Sequence, residues 1–84
     1  MTYLPPTGAE LRALLRRWEL TGAVAAELVG CHPRTVRKWA GDERPMPFAA
    51  LYTLTGRHKG LSIRPDDWRE TAALSSANHG KAGD

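Results

Sequence analysis

Only one cysteine, Cys31, occurs among the 84 residues. No disulfide can close within the chain, so stability rests on packing, and a reducing cytoplasm is the expected compartment. Long apolar runs are missing too. Charges interrupt each hydrophobic stretch within a few residues, and no basic region followed by an apolar run stands at the N-terminus. Neither a signal peptide nor a membrane span is expected. The length leaves no room for a second, independent catalytic domain. The chain has no pair of acid/base groups and no phosphate-cradling loop, which argues against an enzyme. Cys31 and His32 are adjacent, yet a zinc site needs three or four suitably spaced ligands, and His58 and His79 stand without partners in an expected loop and tail. No metal, cofactor or small-molecule ligand is expected, and Cys31 reads as a turn residue packed on the core.

What is present is an ordinary globular composition, 42% hydrophobic and 25% charged, so a folded core is expected. The net charge of +3 is unevenly spread. Residues 1–64 carry ten Lys and Arg against five Asp and Glu, whereas residues 65–84 carry two against four. The basic charge sits with the part expected to fold. Such a surface favours a polyanionic partner, because neutralised phosphates release condensed counterions.

Residues 1–6 read as an extended arm. Thr7, with Glu10 three residues on, forms a capping box ahead of Leu11, Leu14, Leu15 and Trp18 at helical spacing, with Arg12, Arg16, Arg17 and Glu19 largely on the other side. Thr21 can cap a second helix running through Ala26 and Leu28 to Val29, which Gly30 ends in the left-handed conformation. Pro33 suits the first position of a third helix that stops at Gly41. The Arg44-Pro45-Met46-Pro47 stretch cannot be interior helix, but Pro47 suits the start of a fourth helix carrying Phe48, Leu51, Tyr52 and Leu54 and ending at Gly56. Arg57-His58-Lys59-Gly60 reads as a loop, Pro65 to about Leu74 as a weakly amphipathic helix, and residues 75–84 as a disordered tail. No strand pair or repeat is visible. The expected fold is an all-α, compact four- to five-helix bundle, divided into an arm (1–6), a helical domain that includes helix 4 (7–56), a loop and C-terminal helix (57–74) and the tail (75–84).

The third helix carries the functional signal. At about 100° per residue, Val36, Trp39 and Ala40 share one side and Arg34, Arg37 and Lys38 the opposite one. A short helix with three outward cations, joined to its predecessor by a glycine-containing turn, can lie in the major groove of DNA. That is the helix-turn-helix arrangement.

Gly22 to Gly41 resembles the helix-turn-helix of the Cro and lambda-repressor-like families, through Ala26, Gly30, Val36 and Trp39. A narrower resemblance is to the anti-CRISPR-associated (Aca) repressors of phages and mobile elements. It is carried by residues 10–17, Ala25-Ala-Glu-Leu28, Arg34 with Arg37, and Arg44-Pro-Met-Pro-Phe48. The chain departs from that pattern at Ala23 and Val24, where such a relative can carry basic residues. The resemblance implies that Pro33, Arg34, Arg37 and Lys38 sit at base-reading positions, with His32 and Thr35 at the flank. Arg34 is the foremost candidate, because its guanidinium can donate two hydrogen bonds to guanine O6 and N7. The amides around Thr21 and Gly22 are expected to take a phosphate, as helix N-termini do, and Arg44 is a second phosphate candidate.

One short reading helix contacts few base pairs, whereas a twofold dimer sets two of them about one turn apart on an inverted repeat. Phe48, Leu51 and Tyr52 are the expected homodimer interface; completing the monomer core is their alternative role. The expected function is operator binding and repression of a small phage or mobile-element operon. The alternatives are an antitoxin, excisionase or recombination accessory protein, or a protein-interaction module without DNA binding.

Overall fold

The computed structural model describes residues 2–72. Four helices follow in order, α1 (Gly8–Arg17), α2 (Gly22–Val29), α3 (Pro33–Ala40) and α4 (Phe48–Lys59). Residues 68–72 form a further helical turn, and no strand occurs among the described residues. The all-α bundle expected from the sequence is the fold.

Local chemistry sets the helix ends. The Thr7 hydroxyl accepts from the Glu10 amide at 3.1 Å while the Glu10 carboxylate accepts from the Thr7 amide at 2.9 Å, a complete capping box. The Thr21 hydroxyl caps α2 by accepting from the Val24 amide. Gly30, at φ 90°, turns the chain out of α2, a conformation that costs other L-residues about 1–2 kcal/mol. Pro33 opens α3 with no amide to satisfy.

The core forms from the expected periodic positions. Leu11, Leu14, Leu15 and Trp18 of α1 meet Ala25 and Ala26 of α2, Val36 and Trp39 of α3, and Leu51 and Leu54 of α4, all buried. Each large apolar side chain so removed from water contributes about 1.5–3 kcal/mol. The small Ala25 and Ala26 let α2 approach both α3 and α4, while α1 lies against α3. Met46, between two prolines, is 1% exposed and joins the core.

Two expectations are corrected. α4 does not end at Gly56; it continues through Arg57 and His58 to Lys59, and Gly60 at φ 69° ends it by donating to the Gly56 carbonyl. The extra turn has something to pack on, since the His58 ring lies 5.6 Å from the Trp18 ring and the Lys59 ammonium sits over the same indole. A negative φ at Gly56 simply continues the helix. Pro65 does not begin a helix either: residues 65–67 form a turn, and helix starts at residue 68. The expected helix end at Leu74 and the tail lie outside the described residues.

The chain after α4 returns to the core. Ile63, Trp68 and Ala72 are buried in the same cluster as α1, and the Trp68 indole N–H donates to the Leu4 carbonyl at 3.1 Å. Arg69 adds a second fastening, donating to the Leu4 and Pro5 carbonyls and pairing both carboxylate oxygens of Glu10 at 2.8 Å. The arm is thus held from the far end of the described chain.

Candidate functional site

α3 is fixed at three points. His32 is its N-cap, with Nδ1 accepting from the Arg34 amide at 3.0 Å. Val36 and Trp39 plug its inner side into the core at 3% and 7% exposure. At its far end the Arg12 guanidinium donates to the Ala40 carbonyl, and Asp42, in the left-handed region at φ 62°, accepts from the Gly8 amide at 2.7 Å. Gly8 is needed at that junction, because a Cβ there would overlap the Ala40 carbonyl oxygen.

Held this way, α3 presents Arg34 and Arg37 to solvent, with Lys38, Thr35 and Pro33 half-buried beside them and His32 exposed. Neither Arg34, Arg37 nor Lys38 has a carboxylate within 4 Å among the described residues. The start of α2 belongs to the same region, since a Cβ on Gly22 would lie 3.8 Å from a Val36 methyl. The Val24 and Ala25 amides are satisfied by Thr21, which leaves those of Gly22 and Ala23, among the described residues, as the free donors of the helix end. Arg44 is exposed in the loop after α3, its amide turned to the Lys38 carbonyl at 3.4 Å.

The three residues expected at a dimer interface separate. Leu51 is 0% exposed and belongs to the protomer core, whereas Tyr52 is 43% exposed. Phe48, half-buried, stacks edge-on against Tyr3 at 5.4 Å and lies 5.8 Å from Tyr52. An aromatic ladder therefore runs from the arm across the outer side of α4, with Leu4 also exposed.

Cys31 is half-buried against the core, and burial pushes its thiol up, away from the thiolate that nucleophilic chemistry requires. Among the described residues no three His, Cys, Asp or Glu side chains come together as metal ligands. Glu10 stands out electrostatically. The Arg69 hydrogen bonds, assisted by the Thr7 amide, hold its carboxyl at about 2.

Sequence reasoning missed Asp42, Met46 and Arg69. Asp42 and Arg69 act across 34 and 59 residues respectively. No local pattern announces such partners, whereas for Met46 the flanking Pro45 and Pro47 are the local signal of a pinned apolar side chain.

The chain is 40% identical over 71 residues to Transcriptional repressor protein KorC of Escherichia coli, covering 81% of this chain and 79% of that one. A second Escherichia coli protein of the same name is 45% identical over 51 residues, 57% of this chain and 60% of its own length. No family model and no solved structure matches the chain. A small all-helical fold with this relationship belongs to the class of transcriptional repressors. More particularly, the chain is a member of the KorC family.

Proposed function

We propose that this repressor acts by binding DNA, with α2 and α3 as a helix-turn-helix and α3 in the major groove of an inverted-repeat operator. The observation that carries the reading is the presentation of α3. Arg34 and Arg37 stand exposed and, among the described residues, unpaired by carboxylates, opposite a side anchored by Val36 and Trp39, in a chain of the KorC repressor family. Arg34 reads a guanine in each half-site, for a discrimination of about 1–3 kcal/mol. Arg37 and Lys38 reach neighbouring base edges or phosphates, flanked by His32, Pro33 and Thr35. The free amides of Gly22 and Ala23, next to Thr21, take a phosphate as helix N-termini do, and Arg44 takes another. Residues 7–56 make up the DNA-reading unit on this view, and the protein works in the cytoplasm.

Two copies are needed to span an inverted repeat. Tyr52 and Phe48 supply the contact between them, with Leu51 supporting α4 from the core side. The likeness to anti-CRISPR-associated repressors in four short stretches supports a narrower reading, control of a small mobile-element operon that includes the protein's own gene.

Selection of bound duplexes from a random pool, followed by mobility shifts with wild type and Arg34→Ala, tests the proposal. A palindrome with a guanine in each half-site, whose preference disappears in the variant, is the expected result. Enrichment of no motif, with binding that merely fades as salt rises, refutes it.

A further inference from the structure

A phosphate at the start of α2 would meet two free amides but no cation of that helix, because Gly22, Ala23 and Val24 fill its first turn and no basic residue follows to Val29. The nearest cations along the chain are Arg16 and Arg17, in the last turn of α1. They leave α1 on different sides. Arg17 lines a groove with Ala13, Trp68 and Ala72. Arg16 lies one turn beyond Arg12 on the same side, as residues four apart do, and Arg12 donates to the carbonyl of Ala40 at the end of α3. Arg16 thus continues, one turn on, the side of α1 whose Arg12 meets the end of α3.

Arg16 is exposed and has no carboxylate within 4 Å among the described residues. A basic residue in a last turn also offsets the helix dipole. Arg17 does that equally well, so the dipole does not explain why a free arginine stands on the same side as Arg12. We infer that Arg16 is a phosphate-binding residue, extending the interface from α3 and the α2 N-terminus onto α1, with Arg12 as the residue that keeps α1 against α3. This rests on the proposed reading by α3 and supplies the backbone cation that α2 lacks.

The test compares wild type, Arg16→Ala, Arg16→Lys and Arg17→Ala on a selected duplex and on a scrambled one, from 50 to 200 mM salt. One lost phosphate contact makes the logarithmic salt slope shallower by about 0.9, which is roughly a 3.5-fold smaller loss of affinity across that range. Arg16→Ala is expected to show this change on both duplexes, while Arg16→Lys and Arg17→Ala keep the wild-type slope. An unchanged slope in Arg16→Ala, or an equal change in Arg17→Ala, overturns the inference. If wild type binds both duplexes alike, reading by α3 is refuted, and the Arg16→Ala slope still decides the role of Arg16. If wild type binds neither, both fall.

Discussion

Gly8→Ala pits two effects of opposite sign against each other. In an open helix the replacement is favourable by about 1 kcal/mol, because alanine has less backbone freedom to lose. Here the new Cβ would overlap the Ala40 carbonyl oxygen and lie 2.9 Å from its carbon and 2.8 Å from Asp42 Oδ2. Two of these contacts are backbone, which no rotamer change relieves. The first turn of α1 must withdraw from the end of α3 by on the order of 1 Å, and overpacking of this kind costs about 1–3 kcal/mol. Withdrawal also stretches the 2.7 Å bond from the Gly8 amide to Asp42, a bond to a charged acceptor whose loss adds about 1.5 kcal/mol. The net expectation is destabilisation by about 2 kcal/mol. In a domain of this size that lowers the melting temperature by roughly 8–16 °C. Thermal unfolding followed by circular dichroism reads it directly, with Ala9→Gly as the control, since Ala9 is exposed and its change loses only helix propensity. A Gly8→Ala protein that melts at or above wild type would refute the close approach of α1 and α3.

Acid should loosen the hold of Arg69 on α1. The Glu10 carboxyl titrates at about 2 in the folded protein against an ordinary 4.5, so its stabilising contribution is complete above about 4.5 and disappears as pH falls through about 2. Glu10→Gln should flatten that limb of a stability-versus-pH curve, and an unchanged limb would mean that the pair with Arg69 is not populated in solution. Gly60→Ala places a Cβ at φ 69° with open space around it, so the cost is conformational alone, about 1 kcal/mol in a urea melt; no loss would show that α4 ends elsewhere. Trp68→Phe keeps an aromatic ring but removes both the donor to Leu4 and the pyrrole half of a buried indole, and a loss of about 2 kcal/mol is expected. Tyr52→Glu puts a charge on the exposed rung of the aromatic ladder; sedimentation should show a shift to monomer, and an unaltered oligomer would move the interface away from α4.

Much of this architecture could be read along the chain because its determinants are local. The Thr7 and Glu10 pair, the Thr21 cap, Gly30 and Pro33 each act within four residues, and the apolar spacing of Leu11 to Trp18 needs only helical periodicity to point inward. The basic side of α3 was legible for the same reason. Gly56 misled because a glycine only permits a helix to end, and packing of His58 and Lys59 on Trp18 carried α4 to Gly60, which turns left-handed. Leu51 and Tyr52 are adjacent apolar residues, and only the way α2 seats on α4 decides which is interior. Asp42 and Arg69 meet partners in the first ten residues, and composition does not encode such encounters.

The Arg69 latch bears on the order in which the molecule assembles. Contacts between α2 and α3 span a dozen or so residues, whereas the bonds from Trp68 and Arg69 to Leu4 and Pro5 close loops of more than sixty. Closing the longer loops has the larger entropic cost and comes late unless other contacts have already brought the ends together. The α2–α3 hairpin is therefore expected to form early, with the ends of the described chain joining last and, in native-state hydrogen exchange, parting first. A cell's proteases would find their opening at the arm, while the helix proposed to face the operator is still intact.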